Sequence, residues 1–512
     1  MENFLKDIQE YFQEQAAAIK KTFVPVYLML IFYFSPIFFR LSMDESAFSI
    51  YQANEYNNFT GFGRPLFYFI NSLFSFNNEI RYNETLVMFN AFALLSVTMI
   101  LLYNRVNSHY KNNFLTYIII CSPCFSPFLF TSINYRFPYF NFHSAVMFLS
   151  ITAACINSKN SNFNIFLKTV LLVLAHCTYQ ISLNIYIVSC LTIFLLDYLK
   201  QGKISKGFIF ENISSLLLSV LLYKELILNN IKLLEIVNYR LQMFPLDQHF
   251  LANSWAKLTG TLKVLLYPFS DFAGAAIAIF FIFGLFIFIF VAIKKLGNKL
   301  KATCITLSTI VLIIFFQSGF STFFPNHQTH LSKYLNAFAL VTFLVFFTTN
   351  YVLENYLPKI KFLLPMIFIC LLSNTHNALS ISNLNISYRE KIFDATIQRL
   401  LKLNPLRKTI YERCGSFYLP SYKKKDLKSH HIKTLLRDDY FGLRNYDFIF
   451  RPPNLNFRYT GCRHINPKQF TIIEKNTLYA IAQKQNHFLL IAPNHPYYRK
   501  IKSANHPQNH GA

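Results

Sequence analysis

The stretch FAGAAIAIFFIFGLFIFIFVAI, residues 272–293, runs from Asp271 to Lys294-Lys295 without one charged or polar side chain. Coiled as an α-helix at ~1.5 Å per residue, it extends about 30 Å, the thickness of the hydrocarbon core of a bilayer. A helix that is apolar on every side has no face to offer water. In lipid the backbone must also satisfy its own hydrogen bonds, which a helix does. The segment therefore reads as a membrane span.

Working outward, similar runs recur at 23–41, 85–103, 114–133, 139–157, 165–181, 183–199, 208–227, 302–319, 335–352 and 362–378. With 272–293 they predict a polytopic α-helical membrane protein of about eleven transmembrane helices. Composition agrees: of 512 residues 53% are hydrophobic and 14% charged, against about 25% charged in ordinary soluble domains. The spans read as nearly free of charge, with Glu211 near one inner end.

Charge sets the expected orientation. With the N-terminus in the cytoplasm, the short inner segments hold clusters such as Lys20-Lys21, Lys200 to Lys206 and Lys294 to Lys301. The longer outer loops are sparser in Lys and Arg, as the positive-inside rule requires. Residues 1–22 mix charges with apolar residues at helical spacing and read as a cytoplasmic interfacial helix rather than a cleavable signal. Residues 23–380 form the polytopic domain, with a first outer loop at 42–84, and eleven spans place residues 385–512 outside. That last segment holds 23 Lys and Arg against 8 Asp and Glu, so +15 of the net +25 lies there. Its alternating runs Tyr446–Phe450, Phe470–Ile473 and Phe488–Ile491 follow a helix-like stretch, Tyr388 to Leu403, and predict a small α+β domain. Its field favours anionic partners such as phospholipid head groups or lipid A phosphates. No nucleic-acid-binding signature accompanies the charge.

Seven of the nine cysteines, Cys121-Ser-Pro-Cys124 included, lie in apolar runs and read as packing residues. Cys414 and Cys462 lie in the basic segment, where an extracytoplasmic location permits a disulfide.

Three local features can carry chemistry. Asp44-Glu45, just after the first span, is either a solvated loop or a general base held at the membrane face. Gly61-Phe-Gly-Arg64-Pro65-Leu66 puts an Arg beside a Pro suited to a first helical turn; it is a phosphate ligand or a snorkelling cation. Thr178-Tyr179-Gln180 closes the fifth span and suits either sugar hydroxyls or helix–helix hydrogen bonds. His327 and His330 are spaced as loop polar residues more than as a metal pair, and the triple Lys423–Lys425 reads as a solvated face.

In this order the three features resemble the serotype-converting O-antigen glucosyltransferases, the Gtr proteins of the type II group, over roughly residues 20–380. Gly63-Arg64-Pro65-Leu66 is the most specific part of that likeness. The resemblance implies a GT-C-like enzyme of the bacterial inner membrane with its active site on the periplasmic face. The implied donor is glucose on undecaprenyl phosphate, and the implied acceptor a sugar hydroxyl of lipopolysaccharide O-antigen. A first-loop carboxylate, Asp44 or Glu45, would act at that hydroxyl, with Asp44 favoured. Arg64 would meet the lipid phosphate, with Arg136, Arg240 and Lys333 in reserve, and Tyr179 and Gln180 would meet sugar. No triad of acidic metal ligands is visible, so neither metal nor cofactor is expected. Two other readings compete. An O-antigen polymerase or ligase has no need of the early acidic pair. A lipid-linked sugar transporter needs ionisable residues deep in its spans.

Overall fold

A computed structural model describes residues 2–35, 84–107, 114–126, 139–179, 181–203, 205–230, 245–266, 272–296, 299–319 and 337–377. Towards the C-terminus it describes 410–414, 456–457, 469–476, 479–485 and 487–491, with a few single positions besides. The chain divides into two compact units, a helical one and one that contains a β-sheet.

The helical unit comprises α1 (Glu2–Phe34), α2 (Glu84–Val106), α3 (Phe114–Cys121), α4 (Tyr139–Cys155), α5 (Ser161–Thr178) and α6 (Ser182–Gln201). It continues with α7 (Lys206–Tyr223), α8 (Phe250–Leu266), α9 (Phe272–Lys295), α10 (Lys299–Ser318), α11 (Phe338–Tyr356) and α12 (Pro358–Asn377). Each predicted span from 85–103 onward lies over one of these helices. Among the described residues seven helices, α2, α5, α6, α7, α10, α11 and α12, are long and apolar enough to cross a membrane. Shorter apolar helical stretches lie in α3, α4 and, as Ile277–Ile287, in α9. Seven is the number established, against the eleven expected. A single helix, α1, covers both the stretch read as interfacial and the start of the first predicted span.

Local chemistry explains the tight turns. Asn160 caps α5 by accepting from Phe163 N at 3.1 Å, and Ser205 caps α7 by accepting from Phe208 N at 3.2 Å. Between α6 and α7 the chain turns through Gly202 at φ 70°, whose N–H bonds Tyr198 O at 2.8 Å. These caps gather the junctions α4–α5 and α6–α7 at one end of the bundle, with Leu296 packed beside Gly202. Arg105, Lys200, Lys203, Lys206 and Lys299 also lie there, and it is called the basic end below. α4 packs against α2, α5 and α6, and α5 against α7. An aromatic seam runs Phe92–Phe34–Phe125–Phe368–Phe346, with ring centroids 5.2 to 6.2 Å apart, and ties α2, α1, the turn after α3, α12 and α11 together. Outside the bundle, Phe210, Ile213, Leu217 and Leu221 of α7 and Ile279, Phe283, Phe286 and Phe290 of α9 are exposed. Rows of this kind face lipid without cost and would be untenable in water.

The spans are not as free of charge as the sequence reading expects. Lys168, wholly buried in α5, reaches Glu211 of α7 at 3.4 Å and Asn212 Oδ1 at 3.1 Å. The Asn164 amide donates to both Glu211 oxygens, at 3.3 and 3.1 Å, and Tyr186 OH donates to Asn212 Oδ1 at 2.8 Å. Nearer the basic end, Arg105 of α2 pairs with Asp197 of α6 at 2.8 Å, and Phe208 lies between the Arg105 and Lys168 cations at 5.8 and 5.4 Å. Each charge thus has a counter-charge, which is how ionisable groups persist inside a bilayer.

The second unit holds a five-stranded sheet in the order β2-β1-β5-β4-β3: β1 (Ile410–Cys414), β2 (Asn456–Phe457), β3 (Thr471–Lys475), β4 (Ala480–Lys484) and β5 (His487–Ile491). β3, β4 and β5 form an antiparallel meander, whereas β1 runs parallel to both β2 and β5. Gln485 takes a positive φ of 53° in the β4–β5 turn. Phe470, Ala480, Ala482, Leu489 and Ile491 form the core. The predicted runs at 470–473 and 488–491 coincide with β3 and β5. Tyr446–Phe450 and Cys462 lie outside the described residues, as does most of Tyr388 to Leu403, and Cys414 ends β1.

Candidate functional site

At the end of the bundle away from the basic residues, α2, α4 and α6 begin and α5 and α7 finish. Polar side chains collect there. Asn90 of α2 donates to Asn141 Oδ1 of α4 at 3.0 Å. His143, one turn into α4, sets its ring 5.2 Å from that of Tyr179. Tyr179 is the extended residue that closes α5; its N–H bonds Ala175 O at 2.9 Å while its carbonyl accepts from Ser182 N at 3.1 Å. This short connection fixes Tyr179 between α5 and α6, and only 3% of it is exposed.

Beside it, His176 bridges three helices. Its Nδ1 lies 2.6 Å from Ser182 Oγ of α6, its Nε2 3.3 Å from Ser219 Oγ of α7, and its ring 5.7 Å from that of Tyr223. Gly319, just past α10, has φ 56° and lies so close to the Asn184 amide of α6 that a Cβ there would overlap it. The cluster is therefore a cross-linked polar layer inside otherwise apolar helices. It can donate to and accept from a neutral hydroxylic ligand, and its aromatic rings offer a stacking surface.

Of the residues singled out from sequence, Tyr179 joins this cluster. Asp44, Glu45, Arg64, Arg136, Gln180, Arg240 and Lys333 lie outside the described residues. Asn90, Asn141, His143 and His176 escape the sequence reading. Asn141-Phe-His143-Ser144 opens a span, and the crowding of three polar residues into the first turns of an apolar run is the signal that could have found it.

A family model described as glucosyl transferase GtrII matches residues 37–350. The chain belongs to the GtrII glucosyl transferase family. It is accordingly a glycosyltransferase, an enzyme that moves a sugar from a donor to an acceptor. No curated protein and no solved structure matches it. The GtrII match takes in α2 to α10, the polar layer and every residue named from sequence for catalysis or binding, and stops before the β-sheet.

Proposed function

We propose that the protein transfers a glucosyl residue from undecaprenyl phosphate-glucose to a sugar hydroxyl of lipopolysaccharide O-antigen. The observation that carries this reading is family membership, joined to a polar, aromatic layer at the end of the bundle opposite the basic residues. The positive-inside rule supports a cytoplasmic basic end and, with it, a polar layer at the periplasmic face of the inner membrane. The remaining spans of a multi-pass topology, the periplasmic C-terminal unit and the GT-C-like class belong to the same proposal.

The chemistry is a single displacement. The acceptor hydroxyl oxygen attacks the anomeric carbon, the bond from that carbon to the phosphate oxygen breaks, and undecaprenyl phosphate leaves with the electron pair. Asp44, or Glu45 beside it, takes the hydroxyl proton. Arg64 neutralises the departing phosphate, with Arg136, Arg240 and Lys333 as further cations. Tyr179 and Gln180 border the sugar. Displacement at a β-linked donor inverts the centre and yields an α-linked glucose.

The test supplies wild type and the double variant Asp44→Asn/Glu45→Gln with undecaprenyl phosphate-glucose and a defined O-antigen, and reads product mass and linkage. Expected is an α-glucosylated product from wild type and a rate loss of about a hundredfold or more in the variant, in the range of general-base catalysis. Full activity of the variant would reject the assignment of the base. Absence of any glucosylated product from wild type would reject the donor and acceptor.

A further inference from the structure

Asn141 is wholly buried, yet among the described residues its Nδ2 has no hydrogen-bond partner. Asn90 Nδ2 donates to Asn141 Oδ1, and in this arrangement the Asn141 NH2 group is turned away from Asn90. A buried amide donor left unsatisfied is costly, and a ligand that supplies the acceptor removes that cost. The residue sits in the first turn of α4, a helix of 17 residues. The backbone N–H groups of such a turn have no partners within the helix, and the helix dipole adds positive potential there.

We propose that the Asn141 amide, oriented by Asn90 and backed by the first turn of α4, binds a non-bridging phosphate oxygen of the lipid-linked donor. The proposal deepens the function proposed above and rests on it for the identity of the donor. On the topology proposed above, the first turn of α4 opens on the side from which a lipid phosphate approaches, its hydrocarbon chain remaining in the bilayer. Negative charge grows on that phosphate as the glucosyl bond breaks, so the contact strengthens in the transition state. Asn141 would then be a ligand of the leaving group, and Asn90 a positioning residue.

The experiment uses the full chain in lipid nanodiscs. It measures KM for undecaprenyl phosphate-glucose and, separately, the inhibition constant of glucose-free undecaprenyl phosphate. Asn141→Asp keeps the shape, replaces the donor by an oxygen and sets an acid against the anion. Both constants should rise together by about tenfold or more, since tenfold corresponds to the ~1.4 kcal/mol expected of one such bond. Asn90→Ala, which leaves the Asn141 donor in place but unoriented, should raise both by a smaller factor. A rise in KM with an unchanged inhibition constant would assign Asn141 to a glucose hydroxyl and overturn the proposal. No change in either would leave it a structural residue only. Should Asn141→Asp fail to assemble, Asn141→Ser, too short to reach, is read against the same outcomes. Thermal stabilisation by glucose-free undecaprenyl phosphate, compared between wild type and variant, needs no turnover. A wild type stabilised by this lipid but inactive in transfer would therefore refute the proposed reaction without refuting the phosphate site.

Discussion

Replacing Lys168 by Met removes one half of an ion pair sealed between α5 and α7. The Lys168 side chain is 0% exposed and that of Glu211 11%. At their separation of 3.4 Å and an effective dielectric of ~20, the attraction is about 5 kcal/mol. After the change Glu211 retains the two Asn164 bonds but no counter-charge. Breaking a buried pair from one side costs about 3–5 kcal/mol, and these distances support a loss within that range. Glu211→Gln should cost less, since the Gln carbonyl still accepts from Asn164 and Lys168 keeps Asn212. Lys168→Met/Glu211→Gln deletes both charges in a lipid-facing bundle and should recover most of the loss. The assay is a double-mutant cycle on purified protein, with the folded fraction followed by size-exclusion chromatography after graded heating. If the double variant loses the sum of the two single losses, the charges are not coupled and the clamp does not exist.

Gly319→Ala should cost about 2 kcal/mol or more, because φ is 56° and the Asn184 amide occupies the space of a Cβ; the same heating assay reads it. Gly284→Ala, where a Cβ would meet Thr349 Oγ1 at 2.5 Å, should cost less, because φ is ordinary and a hydroxyl can turn away. His176→Leu removes the partner of the Ser182 hydroxyl, whereas Ser219 keeps its bond to Leu216 O, and should destabilise by about 2 kcal/mol. In α8, burial lowers the Lys257 ammonium to about 8. Because the unfolded chain then binds more protons between about pH 8 and 10.5, stability should rise with pH across that window. In Lys257→Met the rise should flatten, and an unchanged pH profile would show that another group titrates.

The spans were legible because hydropathy is local: each apolar run announces its helix without reference to any other. Lys168 was missed for the complementary reason. Apolar neighbours conceal it, and its partner Glu211 lies far along the chain, so the pairing exists only once α5 and α7 are packed. Strand β5, rich in Phe, Leu and Ile, stands out in sequence. Strand β1 does not, because its parallel pairing with β5 joins residues separated by most of the unit, and Ala480–Lys484 is too poor in β-branched residues to announce β4. Tyr179 could be picked out from the polar end of its span. Asn141 escapes because one polar residue at the edge of an apolar run reads as a boundary; only its crowding with His143 and Ser144 marks it, and its pairing with Asn90 exists only once α2 and α4 are packed.

The connections between helices are unequal at the two ends. At the basic end α4 meets α5 and α6 meets α7 through a few residues fixed by Asn160, Gly202 and Ser205, whereas residues 126–138 and 319–336 link helices at the other end by much longer runs. Two helices joined by so few residues cannot slide past one another by a turn without undoing the caps at Asn160, Gly202 and Ser205. The register of α5 on α4 and of α7 on α6 is thus fixed locally, and an insertion in either turn should disturb both helices that it joins, which the heating assay would read as lost stability.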